Sequence, residues 1–167
     1  MRRISLNILP GAEVFASASP ARLKDCTLNC TKYLLVEFPR THLPVNARQI
    51  LANLRTQGYL PIVAHPERIP SVIVKPTLIY ELSEYCYGQL TAGSLIGDFG
   101  PQVKRCAEWL LKKGLISFLA TDAHSSNGRH SNLTAGFAAA AGIVGRQAAE
   151  ILVSDNPARV IAGEPIV

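Results

Sequence analysis

Three short apolar runs do most to limit what this chain can fold into. They are YLLVEF (Tyr33–Phe38), LPIVAH (Leu60–His65) and LISFLAT (Leu115–Thr121). A strand with one wet face alternates apolar and polar side chains, whereas these runs are apolar at both parities and must be covered on both sides. Helical patterns lie between and after them. Ala47, Ile50, Leu51 and Leu54 share one helix face, with Asn46 placed to cap it and Gly58 to close it. Val103, Cys106, Ala107, Leu110 and Leu111 share another, ending in Lys112–Lys113 and Gly114. Leu133, Phe137 and Ala140 or Ala141 mark a third helix, and Ala148, Ala149, Ile151 and Leu152 a fourth that Asp155–Asn156–Pro157 is expected to break. ISLNIL (Ile4–Leu9) and QLTAGS (Gln89–Ser94) are weaker strand candidates. Strands alternating with helices predict an α/β fold with mainly parallel strands. With no repeat and no linker, residues 1–167 read as one domain.

Charge and cysteine usage narrow the partners. The net charge is +5, but the 17 Lys and Arg are dispersed, and the only adjacent pairs are Arg2–Arg3, Lys104–Arg105 and Lys112–Lys113. That is no nucleic-acid stripe, and it suits at most a modest attraction for anionic substrates. No apolar run approaches the roughly 18 residues a spanning helix needs, so membrane insertion is not expected. The apolar N-terminus imitates a secretion signal until Asn7, Pro10–Gly11 and Glu13 interrupt it, and a cytoplasmic location is the expectation. Cys26 and Cys30 form a C-x3-C without a second pair at zinc spacing, and Cys106 falls on an apolar helix face. The chain has no glycine-rich phosphate loop, no G-x-S-x-G and no C-x5-R, which excludes the common cysteine-nucleophile phosphatase chemistry.

The chemistry-bearing residues gather where apolar runs end. ILPGAE delivers Glu13, IVAHPER delivers His65, Glu67 and Arg68, LTAGS delivers Ser94, and FLATDAH delivers Asp122 and His124. Active sites of parallel α/β folds form at such C-terminal strand ends. If the chain stays extended, alternation puts Asp122 and His124 on one side, as two ligands of one metal cluster require. Each residue also has a plain reading: Asp122 as a helix cap, His65 as a loop histidine before Pro66, Glu13 as a surface acid, Arg129 after Gly128 as a solvated cation. The repetition favours a shared site, because several apolar strands ending in uncompensated polar groups would be costly. A carboxylate–imidazole set suits Mn, Fe or Zn better than Ca. Glu37 reads as a partly buried strand acid without a role, His42 as a solvated loop residue and His130 as a helix entry.

PGAEVF, PIVAHPERI, QLTAGSLIGDFG, FLATDAHSSNGR and ILVSDNPARVIAGE, in that order, resemble the bacterial metal-dependent protein-tyrosine phosphatases of capsule and exopolysaccharide loci. Those belong to the polymerase-and-histidinol-phosphatase (PHP) superfamily, and the resemblance runs from Leu9 to Gly163. It implies a distorted β/α barrel holding manganese or a similar divalent ion, with Glu13, His65, Asp122 and His124 as metal ligands and Arg68 and Arg129 holding the phosphoryl oxygens. Ser94 and Gly128 match motif positions without being ligands. The implied reaction is hydrolysis of phosphotyrosine on a protein, in kind the tyrosine-rich tail of a bacterial autokinase that controls polysaccharide export. Another phosphoesterase of the superfamily, acting on a small phosphate ester, is the enzymatic alternative. An inactive remnant that only binds phosphorylated or acidic tails is the non-enzymatic one. The chain departs from the family in one respect: members open with a strand bearing two histidines and a third before the GAE segment, and here no histidine precedes His42. The barrel is therefore expected to be incomplete, its metal affinity reduced and some apolar surface uncovered. A second copy, or a complementing N-terminal fragment, is the partner this implies.

Overall fold

A computed structural model describes residues 7–18, 20–124 and 132–167. Its centre is a five-stranded sheet in the order β1 (Glu13–Phe15), β2 (Tyr33–Glu37), β3 (Leu60–Ala64), β4 (Tyr87–Thr91), β5 (Phe118–Ala120). All four pairings are parallel, with Glu13 opposite Leu35, Leu35 opposite Ile62, Ala64 opposite Gln89, and Gln89 opposite Phe118. Parallel neighbours in sequential order are wound one way, so successive right-handed crossovers leave their helices on the same face. That is the winding of a β/α barrel. Here it forms an open arc in which, among the described residues, β1 and β5 each pair on one side only.

The two faces of the arc carry different cores. Leu34, Val36, Val63, Leu90 and Leu119 point outward to the helices. There they meet Leu51 and Leu54 of α1 (Ala47–Thr56), Cys106, Ala107 and Leu110 of α4 (Pro101–Lys112), and Ala140 of α5 (Leu133–Val144). The concave face presents Tyr33, Ile62 and Phe118, which Val160 of the last helix closes over. Strands buried on both sides are what unalternating runs require, so the pattern and the packing agree. Two short helices sit at the strand tips: α2 (Pro70–Val74) after β3, and α3 (Ala92–Ile96) directly after β4. Gly136 of α5 lies so close to α3 that a Cβ there would stand 2.5 Å from the Cβ of Ala92. Only glycine lets these two backbones approach.

Several elements differ from the sequence expectation. QLTAGS is split: the strand ends at Thr91, and Ala92, Gly93 and Ser94 already belong to α3. The run from Leu115 to Thr121 pairs only over Phe118–Ala120, matching the three positions β4 offers it. Of the ISLNIL candidate, residues 4–6 lie outside the described residues and residues 7–9 form no strand. The strand lies further on, so Glu13 begins β1 rather than ending a strand. Asn46 precedes α1 but makes no side-chain cap. Nor does Pro157 end the helical run. After α6 (Arg146–Glu150) the backbone widens into a π-turn at Ile151–Asp155 and continues as α7 (Asn156–Ala162). Proline lacks an N–H and crowds the carbonyl four residues earlier, and one wide turn accommodates both. Asn156 secures the arrangement: its Nδ2 donates to the Ser117 carbonyl and its Oδ1 accepts from the Val167 N–H. No helix among the described residues is long and apolar enough to cross a membrane.

Candidate metal centre

The start of β1 and the ends of β2 and β3 converge on one imidazole. Glu13 and Glu37 share the concave face, since Glu13 is in register with Leu35 and Glu37 follows two residues later. His65, one residue past β3, would by alternation face the opposite side. Its backbone instead turns left-handed, with φ of 35°. This costly conformation for a non-glycine residue swings the ring back toward the acids. His65 Nε2 lies 3.2 Å from Glu13 Oε1 and 3.4 Å from Glu37 Oε1. Donor atoms of the three residues all fall within 4.8 Å of one another.

The imidazole is only 2% exposed, and neither ring nitrogen makes a hydrogen bond of acceptable geometry. A buried polar atom without a partner is costly, and such an atom facing two carboxylates suits a cation held among all three. Two carboxylates and an imidazole are a donor set for a divalent transition metal, so the residues fit the metal that the sequence implies. Glu37 also accepts a 3.1 Å bond from Arg40 Nε, which orients its carboxylate.

Sequence reasoning placed Glu13 and His65 in the site and left Glu37 without a role. The structure brings all three together. The missed signal was the one used elsewhere, an acid at the end of an apolar run, and YLLVE has it. Asp122 and His124 do not join the three-residue cluster. The backbone does not stay extended there, because β5 stops at Ala120 and Asp122 itself adopts φ of 51°, yet the two side chains still meet, His124 Nδ1 lying 3.5 Å from Asp122 Oδ1. The turn folds His124 back, its Nδ1 lying 2.8 Å from the Asp122 carbonyl oxygen. Asp122 Oδ2 accepts a 2.7 Å bond from Arg68 Nη1, joining the tips of β5 and β3 through a charge-assisted pair. Arg129, with Gly128, lies outside the described residues.

Glu67, grouped with the strand-end residues by sequence, faces the interior. It is fully buried; its Oε1 accepts from the Thr91 N–H at 3.0 Å and from Ser94 Oγ at 2.6 Å. Burial raises its pKa, against the opposing pull of the Ser94 and Thr91 hydrogen bonds. Ser94 is thus spent on fixing the turn that carries His65 and Arg68. Cysteine chemistry has no foothold in the core: burial pushes the Cys86 and Cys106 thiols up to about 12.

A one-way parallel sheet carrying a carboxylate–histidine cluster that could hold a metal ion defines an α/β protein of the barrel-derived kind with a candidate metal centre. The family described as capsular polysaccharide synthesis, CpsB/CapC, matches residues 2–162, and the chain belongs to it. The chain is 40% identical over 132 residues to the tyrosine-protein phosphatase YwqE of Bacillus subtilis, covering 76% of this chain and 52% of that protein. It is 27% identical over 166 residues to the tyrosine-protein phosphatase CpsB of Streptococcus agalactiae, covering 93% of this chain and 68% of that protein. A solved structure from crystallographic work on YwqE and on CpsB of Streptococcus pneumoniae, described there as unique metal-dependent tyrosine phosphatases, superimposes with a TM-score of 0.89. It shares 32% identity and is matched over 97% of this chain and 67% of its own length. The chain spans about half the length of the first of these curated relatives.

Proposed function

We propose that this chain is a metal-dependent protein-tyrosine phosphatase centred on Glu13, Glu37 and His65. The observation that carries the reading is the buried, unbonded imidazole of His65 set between two carboxylates, in a chain whose relatives are named tyrosine phosphatases. Manganese is the proposed ion, with iron or zinc as chemically similar occupants. A divalent ion held there would lower the pKa of water and offset charge on phosphoryl oxygens. Three side chains leave coordination positions open, and Asp122 and His124 are the proposed further ligands from this chain.

The chain's own residues supply the rest. Arg68, three residues after His65, carries a planar fork suited to two phosphoryl oxygens, and Asp122 orients that fork. Arg129 is proposed as a second anion-holding group. The departing phenol has a pKa of about 10, so it leaves with less help from a proton donor than an aliphatic alcohol needs. The substrate proposed is phosphotyrosine on the tail of a bacterial autokinase governing capsule or exopolysaccharide synthesis. Four free cysteines accord with a cytoplasmic setting for that exchange.

The test is manganese-dependent turnover of a phosphotyrosine peptide by the 167-residue chain, with Asp122→Ala and Glu37→Ala in parallel. Turnover lost in both variants and in chelator supports the proposal. Faster turnover of histidinol phosphate would move the assignment to small phosphate esters. Phosphopeptide binding that persists in chelator without turnover would make the chain a docking module instead.

A further inference from the structure

The motif GSLIGDFG, which spans most of α3 and the turn leading to α4, supplies no proposed metal ligand and yet touches Arg68. The guanidinium of Arg68 lies over the Phe99 ring, its Cζ 4.4 Å from the ring centroid, while Nη1 bonds Asp122. The arginine side chain is 12% exposed, so it is clamped between an aromatic face and a carboxylate. Phe99 is half-buried, and among the described residues it belongs to none of the buried apolar clusters. A phenyl ring that packs on a cation rather than on the core is a platform rather than filler.

The surrounding backbone is shaped to bring that ring into place. Gly97 and Gly100 flank the Asp98–Phe99 pair with φ of 96° and 89°, a region that side-chain-bearing residues avoid. At Gly93 an added Cβ would meet Asp98 Oδ2 at 2.8 Å and the Phe99 ring at 3.2 Å. Ser94 and Thr91, at the start of the same segment, hold Glu67, the residue before Arg68. One end of this region therefore holds the carboxyl of Glu67, the residue before the arginine, and the other meets the guanidinium itself. Asp98 also accepts a 2.8 Å bond from Asn132 Nδ2, fixing the residue where α5 begins.

We propose that Phe99 is a positioning residue: its π face holds the Arg68 guanidinium in the plane from which it grips a phosphoryl group. The anion-binding part of this inference rests on the phosphatase reading above, whereas the ordering of the arginine does not. The test therefore has two arms on the full chain, comparing wild type, Phe99→Leu, Phe99→Tyr and a chain with pentafluorophenylalanine at position 99. The fluorinated ring keeps shape and packing but removes the negative π face, so a merely structural role would not register the exchange.

In the first arm, 15N NMR follows the Nε–Hε signal of Arg68 in metal-free protein. Wild type and Phe99→Tyr should give one ring-shifted signal with slow solvent exchange. The leucine and fluorinated variants should lose the shift or the protection, with exchange faster by roughly tenfold. In the second arm, inorganic phosphate is titrated into manganese-loaded protein. Affinity should fall roughly three- to tenfold in the leucine and fluorinated variants and hold in Phe99→Tyr, with manganese affinity unchanged throughout. An Arg68 signal equally protected in the fluorinated chain would overturn the positioning role, whatever the second arm shows. Phosphate binding absent from wild type, with the first arm as expected, would leave the positioning role standing and remove the phosphatase reading beneath its second half.

Discussion

Removing one hydroxyl, in Ser94→Ala, tests whether the Glu67 network holds the site turn. Both residues are fully buried, and the Ser94 Oγ to Glu67 Oε1 distance is 2.6 Å. Glu67 Oε2 already lacks a partner, so after the substitution the carboxyl keeps only the Thr91 N–H. A hydrogen bond to a charged group contributes about 1.5–3 kcal/mol, and one to a neutral group about 1 kcal/mol. The difference gives the prediction a pH signature. Burial places the folded-state pKa of Glu67 above its unfolded value of 4.5. Its contribution to stability is therefore full below that value and is lost as pH rises through the folded pKa. Ser94 donates to the carboxylate and opposes that loss, so the cost of Ser94→Ala should be about 1 kcal/mol near pH 4 and grow with pH. Above the folded-state pKa the expected loss is about 1.5–3 kcal/mol, or roughly 3–12 °C in Tm for a chain of this size. Thermal and urea unfolding in chelator, followed by circular dichroism across pH, measures it. Repeating the pair in a Glu67→Gln background isolates the cause, since a side chain that cannot ionise should make the cost independent of pH. A cost that is flat with pH in the native background, or a slope that survives in the glutamine background, would refute the reasoning.

Other substitutions probe the remaining claims. Glu37→Ala should weaken manganese binding by at least about tenfold, read by electron paramagnetic resonance titration, because it removes one of the three candidate donors, Glu13, Glu37 and His65. Gly136→Ala gains about 1 kcal/mol of helix propensity but forces a Cβ to 2.5 Å from the Ala92 Cβ and 2.8 Å from its Cα. Overpacking against backbone costs about 1–3 kcal/mol, so chemical denaturation should show net destabilisation. With pKa values pushed up to about 12, Cys86 and Cys106 hold roughly one part in ten thousand as thiolate at about pH 8. Mass spectrometry after iodoacetamide should therefore find exposed Cys30 alkylated well before either.

What the sequence determined by itself is the class of fold and the kind of chemistry. Runs apolar at both parities can only be strands covered on both sides, and Tyr33–Glu37 and Leu60–Ala64 are such strands. The helix faces of Ala47–Thr56 and Pro101–Lys112 were equally legible, because burial on one face imposes a 3.6-residue period. An acid or a histidine beside an apolar run was legible as a candidate ligand; for His65, one residue past β3, the strand-end reading holds, whereas Glu13 begins its strand. Only the tertiary structure decided which strand ends share a site. Glu37 lies 28 residues before His65 in the chain, and the β2–β3 register is what carries it to within 3.4 Å. Local backbone conformation decided the rest. Left-handed turns at His65 and Asp122 break the alternation from which side-chain direction would be inferred, and although histidine and aspartate enter that region more readily than most residues, neither fixes such a turn by its presence. The partner of Arg68 was hidden for the same reason. A phenylalanine flanked by Asp98 and Gly100, 31 residues downstream, becomes an arginine platform only when the turn between α3 and α4 comes to lie against the Arg68 side chain. Periodicity records what each element must bury, but proximity between elements is settled by how the chain closes on itself.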